Sequence, residues 1–298
     1  MTGELAHRIE RALTCSWESR LEHIQQLPAN PLGIALRRGR LTSATLVARD
    51  VFYYGLFNAV RGLGVGGEDE LDDALTWFRQ HDRPCSVFVT SFDANEHLLH
   101  HHSEHGLRPS GFMSVMCGVP ERPAPEPGAA TPSAVTVEAV PTPGLEPFLS
   151  LSVPTASDED RDFLRLLRKA EFTDWHCYVA SVDGQPAAIA GLYVRDGVGV
   201  MAAGYTLPAF RHQGCQAALL RRRIADAAAA GCDLVLTQTR PHSTSQRNVE
   251  RSGLRTAYTQ LIWSTGRQPA RTEDTAEPDR VDLHECQLQR AGLPIDRE

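Results

Sequence analysis

The stretch whose residue types and spacing point most directly to chemistry is Tyr205-Thr206-Leu207-Pro208-Ala209-Phe210-Arg211-His212-Gln213-Gly214-Cys215-Gln216-Ala217-Ala218-Leu219-Leu220. A β-rich run ends at Thr206, and the chain turns at Gly214. Leu219, Leu220, Ile224, Ala227 and Ala228 then recur at helical spacing. A helix opening here presents unpaired backbone N–H groups and the positive end of its macrodipole. Such an end is an anion site, well suited to phosphate. Gly214 has no Cβ to hold an anion away. Ala217 and Ala218 leave room beside it, and Arg211 sets a fixed positive charge at the mouth.

Other groupings compete with this one. Arg61-Gly62-Leu63-Gly64-Val65-Gly66 has the same glycine-rich character, but Glu68, Asp69, Glu70, Asp72 and Asp73 follow. Five acids at a helix N-terminus repel a phosphate. His97, His101 and His105 fall at i, i+4 and i+8, so three imidazoles share one helix face. That pattern allows a metal-binding patch, but the preferred reading is a solvated surface, and no metal ligand is assigned. Arg221-Arg222-Arg223 could reach a nucleotide phosphate, yet two of the three are expected to be a solvated face. Cys177 and Cys215 lack the His–Asp context that a covalent mechanism needs.

The elements around these residues are legible in pattern. Val135 to Val140 predicts a strand, and Ser157-Asp158-Glu159-Asp160 opens a helix with acids at its positive end. Trp175 to Val182, Ala187 to Val194 and Val198 to Thr206 predict successive antiparallel strands, joined at Asp183-Gly184 and Arg195-Asp196-Gly197. A long helix follows from about Gln213 to Ala230, then a strand at Asp233 to Thr237, a helix from Thr244 to Ser252 closed by Gly253, and a strand from Leu254 to Trp263. In the first half, Leu41 to Ala48, Val51 to Asn58, Ser86 to Thr90 and Phe112 to Cys117 read as strands. Asp69 to Gln80 and Asn95 to His105 read as helices. The order helix, strand, helix, glycine, strand thus occurs twice. Ser103-Glu104-His105-Gly106-Leu107-Arg108-Pro109 parallels Glu250-Arg251-Ser252-Gly253-Leu254-Arg255-Thr256, which points to an internal duplication. Between the halves, four prolines from Pro120 to Pro127 stop both helix and sheet.

The second half, about residues 134 to 265, resembles the GNAT superfamily of acyl-CoA-dependent N-acyltransferases. Arg211, Gly214 and the residues between them match the first anchors of that family's pyrophosphate motif. Gln216 stands where a small residue is usual. Pro208 sits where a proline is common, and Ser245 to Leu254 resembles the family's second motif. The resemblance implies an α/β fold, with α and β elements mixed around one sheet and two such units in tandem. Residues 1–118 would be a degenerate unit, 119–133 a linker, 134–265 the acyl-CoA-binding unit and 266–298 a polar, mobile tail, with a short docking helix at Leu283 to Leu293. It further implies transfer of an acetyl group from acetyl-CoA, as co-substrate, to an acceptor amine of a small molecule or protein by direct attack. The cofactor-binding residues would be Thr206, Leu207, Arg211, His212, Gln213, Gly214, Cys215, Gln216, Ala217, Ser245 and Asn248. Such transfer needs a neutral amine, a stabilised oxyanion and a proton for the leaving thiolate. The resemblance puts the oxyanion at a strand bulge near Tyr205–Thr206. It puts a tyrosine acid at position 249, which is Val249 here, so Tyr205 or water must substitute. Glu171, Asp174 and His176 are the candidate bases. The alternative is a non-catalytic acyl-CoA-binding or regulatory protein on the same fold.

Composition bounds these readings. The 298 residues are long enough for about two domains, with 42% apolar and 22% charged residues as in ordinary globular chains. A net charge of −7 speaks against a nucleic-acid partner. No run approaches the ~18 apolar residues of a membrane span, and Met1 to Arg11 lacks the apolar core of a secretory signal. Neither a membrane nor a nucleic acid is therefore an expected partner, and a cytoplasmic monomer or homodimer is. Seven widely spaced cysteines without a CxxC pair predict buried thiols.

Overall fold

The computed structural model describes residues 2–48, 57–64, 66–121, 134–141, 166 and 175–266. Its strands are β1 (Ile34–Arg38), β2 (Ser43–Val47), β3 (Ala59–Leu63), β4 (Ser86–Thr90), β5 (Arg108–Gly118), β6 (Val135–Val140), β7 (Trp175–Val182), β8 (Gln185–Arg195), β9 (Val198–Thr206), β10 (Leu234–Thr239) and β11 (Arg255–Ser264). Its helices are α1 (Gly3–Gln25), α2 (Glu68–Gln80), α3 (Glu96–Glu104), α4 (Cys215–Ala229) and α5 (Thr244–Arg251). The expected mixed α/β architecture is what forms. Asp183 and Gly184, like Asp196 and Gly197, take positive φ, as two-residue hairpin turns matched to strand twist require.

All eleven strands join one sheet, in the order β1-β2-β3-β4-β11-β5-β10-β9-β8-β7-β6. Pairing is parallel at β3/β4 and β10/β9 and antiparallel elsewhere. β5 follows the first-half helices yet pairs with β10. β11 ends the second half yet pairs with β4. Each half therefore lends its last strand to the other, and the central β5/β11 pair closes the seam over the length of both strands.

The sheet's two faces carry different helices. On one face α2 and α3 cover the first half through Leu71, Leu75, Phe78 and Leu98, and α4 and α5 cover the second through Leu219, Leu220 and Val249. On the other face α1 crosses the seam. Ile9 and Leu13 pack with Val179, Val200 and Leu236 of the second half, while Leu21 and Ile24 pack with Ile34 and Val47 of the first. The buried Glu10 carboxylate accepts hydrogen bonds from Tyr258 Oη and Gln260 Nε2 on β11. Arg8 pairs with Asp233 at one end of α1, and Glu18 and Glu22 pair with Arg38 toward the other.

Several first-half expectations change. α1 and β1 were not foreseen, although Ile9, Leu13, Leu21 and Ile24 follow a helical stripe. Arg61, Gly62 and Leu63, the opening of the glycine-rich Arg61 to Gly66 run, belong to a strand, β3. The expected strand at Val51 to Asn58 falls mostly on residues outside those described, as do the 119–133 linker, the helix opening at Ser157 and the 266–298 tail with its Leu283 to Leu293 helix. Among the described residues no helix is long and apolar enough to cross a membrane, and the six described cysteines are free thiols.

Candidate active site

β9 and β10 run parallel, but only Val198 to Val200 pair with Leu234 to Leu236. Beyond that point β9 continues to Thr206 and β10 to Thr239 without a shared ladder, so the sheet opens. Within the open stretch the pairing of β8 with β9 shifts register between Ile189 and Gly191. Ala203 and Gly204 together oppose the single residue Ala190, one residue in excess, and Ala203 takes φ +56°, rare for a residue with a Cβ. The bulge thus lies two residues before the expected Tyr205–Thr206.

The bulge is held from inside. Arg223 of α4 is 3% exposed, and its guanidinium donates to the carbonyls of Gly191 and Ala202 at 3.3 Å and of Leu219 at 3.1 Å. Burial pushes it down to about 10. Arg222 donates to Val137 O and to Asp226, which also accepts from Tyr178 Oη. Of the arginine triplet only Arg221 is exposed, so the expectation of two solvated arginines is corrected to one. A guanidinium can satisfy several carbonyls at once, and that capacity draws Arg223 into the core.

After β9 the chain makes a single 3-10 turn, Pro208–Phe210, and reaches α4 through Arg211, His212, Gln213 and Gly214. Arg211, His212, Gln213 and Gly214 are exposed. Gly214 is the N-cap with φ +85°, and no side chain caps the helix. Its first turn contains no acid. The free N–H groups at Cys215, Gln216 and Ala217 and the positive dipole end therefore meet no negative group from their own helix. Arg211 holds no ion pair among the described residues. Gln216, the departure from the family motif, donates from Nε2 to Thr206 Oγ1 at 2.8 Å and ties the strand end to the helix start.

The remaining candidates are scattered. Cys215 is buried with its thiol 3.9 Å from Phe210 O, and burial raises its pKa, as expected for a packing thiol. Cys177 is buried in the core beneath α1. Ser245 is exposed and Asn248 half-buried on α5, which packs beside α4, and Asn248 Oδ1 accepts from Arg251. Val249 is buried against Leu219 and Leu220, so that position serves packing. His176 is exposed on β7, on the face that Tyr178 shares with α4, whereas Tyr205 packs toward the α1 face. Register places His176 level with Met201, and Tyr205 level with Val179. Their backbones are thus about 10 Å apart along the strands and about 10 Å across them. The fold does not bring His176 and Tyr205 together. Glu171 and Asp174 lie outside the described residues.

A model of an acetyltransferase (GNAT) domain matches residues 153–236. No curated protein matches the sequence. Among solved structures, a GCN5-related N-acetyltransferase from Kribbella flavida superposes with TM-score 0.58 at 17% identity, over 84% of this chain and 95% of that one. A tandem GNAT protein from the clavulanic acid biosynthesis pathway superposes with TM-score 0.57 at 13% identity, over 84% and 94%. A GCN5-related N-acetyltransferase from Sphaerobacter thermophilus gives 0.55 at 14% identity, over 83% and 84%. The chain has the GNAT fold.

Proposed function

We propose that the protein is an acetyl-CoA-dependent N-acyltransferase whose donor site is the opening between β9 and β10. The carrying observation is the start of α4: a left-handed glycine, no capping side chain, no acid in the first turn and a free arginine beside it. A diphosphate supplies the acceptors that these N–H groups lack. The pantetheine arm would then run along Thr206 and Leu207, and the thioester would sit beside the Ala203–Gly204 bulge.

There the acceptor amine attacks the thioester carbonyl as a neutral nucleophile. The C–N bond forms, the carbonyl oxygen takes the negative charge, and backbone N–H groups at the bulge stabilise it. Collapse breaks the C–S bond, and the departing thiolate takes a proton. Tyr205, next in the chain after the bulge, is the proposed side-chain source of that proton, with water as the alternative. Glu171 and His176 remain proposed bases for the amine.

We also propose the tandem reading, with 1–118 as the unit without a donor site and 134–265 as the unit with one. Its supports are the single parallel pair that each half places between antiparallel ones, third from the β1 edge and fourth from the β6 edge, and the likeness, over 84% of this chain, to a protein described as a tandem GNAT. One observation favours the non-catalytic alternative: buried Val249 removes the acid expected from the resemblance. Thiol release from acetyl-CoA with a panel of amines tests the proposal. Acceptor-dependent release is expected. Tight calorimetric binding of acetyl-CoA without release for any amine selects the binding protein, and no binding ends both readings.

A further inference from the structure

We infer that Asp72 of α2 together with His101 and His105 of α3 and its C-cap binds one divalent transition-metal ion of the zinc class. The histidine spacing alone is compatible with a solvated helix, but the fold adds a carboxylate that no sequence motif announces. Asp72 Oδ1 lies 3.3 Å from His101 Nε2 and 3.2 Å from His105 Nε2, and the two imidazole centroids are 4.4 Å apart. The three ligand atoms fall within 4.8 Å of one another. Zinc bonds of about 2.0–2.2 Å in a tetrahedron leave neighbouring ligand atoms about 3.3–3.6 Å apart, so the two nitrogen–oxygen separations fall at or within about 0.1 Å of the short end of that range.

A hydrogen-bonded trio does not account for the arrangement as well. Asp72 Oδ1 is a buried atom with no hydrogen-bond partner among the described residues, although both nitrogens approach it closely. Proximity without hydrogen-bond alignment is how ligands around an ion stand, because each lone pair aims at the centre, about 35° off the line to its neighbour. Two imidazoles and one carboxylate form a donor set suited to zinc, cobalt or nickel, and too poor in oxygen for calcium or magnesium. His105 and Asp72 are partly exposed, which leaves an ion an entry route and a fourth position for solvent. The ion would clamp α2 to α3 on the first half's sheet face, remote from the start of α4. His97 provides an internal comparison: it lies one turn earlier, is 80% exposed, and pairs with Glu68 instead.

The test uses the full-length chain without a polyhistidine tag, titrated calorimetrically with zinc chloride and, separately, with cobalt chloride followed by visible absorption. One equivalent of zinc and an intense tetrahedral cobalt spectrum are expected. Asp72→Asn and His105→Ala should each weaken zinc binding about tenfold or more, with His97→Ala within about twofold of wild type. Both informative variants alter partly exposed side chains, and unchanged circular dichroism verifies their folding. If His105→Ala misfolds, Asp72→Asn alone decides the matter. No binding by the wild-type chain, an octahedral cobalt spectrum, unchanged affinity in Asp72→Asn, or an equal loss in His97→Ala overturns the assignment.

Discussion

Two helix starts occupy comparable places in the two halves of the sheet, each following a strand that pairs in parallel with the next. Both α2 and α4 have a glycine N-cap and no capping side chain. At α2, Glu68, Asp69 and Glu70 fill the first turn, and Glu70 reaches back to accept from the N–H groups of Leu41 and Thr42 and from the Thr42 hydroxyl. At α4 the first turn holds no acid. The strands differ as well. β3 pairs with β4 as far as Leu63, whereas β9 leaves β10 after Val200. Arg61, the apparent counterpart of Arg211, is buried between the rings of Trp17 and Phe88, and burial pushes it down to about 9. One architecture thus yields a closed, self-neutralised helix start and an open, unneutralised one. The proposed donor site rests on both the strand opening and the acid-free helix start, and among the described residues only α4 combines them.

The largest expected effect comes from giving α4 what α2 has. Gly214→Asp places a carboxylate at the dipole end and should weaken acetyl-CoA binding by about 100-fold or more. A Cβ there meets nothing within 4 Å, so the stability loss should be about 1 kcal/mol, from the backbone conformation alone. Unchanged calorimetric affinity would falsify the donor-site assignment. The converse change sharpens the comparison: Glu68→Gln with Asp69→Asn should create no acetyl-CoA site, because β3 and β4 stay paired. A gain of binding would show that charge alone separates the halves.

Next in size is Arg223→Met, which removes the donors that hold the bulge carbonyls. A loss of about 2 kcal/mol in denaturant unfolding is expected, together with a lower transfer rate at unchanged acetyl-CoA affinity. A normal rate in the folded variant would remove Arg223 from the bulge's support. Arg211→Ala should weaken acetyl-CoA binding several-fold, worth about 1 kcal/mol and diminishing as salt rises, since the side chain is exposed. The smallest effect is at α2. Burial opposes ionisation of Glu70, but hydrogen bonds from Leu41 N and from the Thr42 hydroxyl and N–H outweigh it and hold the carboxyl below its usual value. The resulting stability is complete above the unfolded-state pKa and is lost as pH falls through the folded value. Glu70→Gln should cost about 1 kcal/mol at neutral pH and flatten that acid-side decline in thermal melts.

The second half was the more readable because its turns announce themselves. Asp183-Gly184 and Asp196-Gly197 admit a tight hairpin, and the apolar spacing after Gly214 admits a helix. The first half misled where local composition and tertiary role disagree. Gly62 and Gly64 suggest a loop, yet β3 uses the positive φ of Gly62 to pass close to Leu41 O, where a Cβ would stand at 2.6 Å. The bulge could not be placed from the sequence because Ala203, the residue that turns left-handed, is not a glycine. Nor could three consecutive arginines reveal which one the core would accept.

Sequence alone determined the hairpins, the glycine-started helix α4 and the absence of acids from its first turn, because these depend on residue types and backbone freedom within a few residues. Tertiary structure decided which strands exchange across the seam, that α1 spans both halves, that Arg223 rather than Arg221 enters the core, and that Asp72 meets His101 and His105. Each of these depends on burial between segments distant in the chain, where desolvation selects one partner among many that local pattern leaves equivalent.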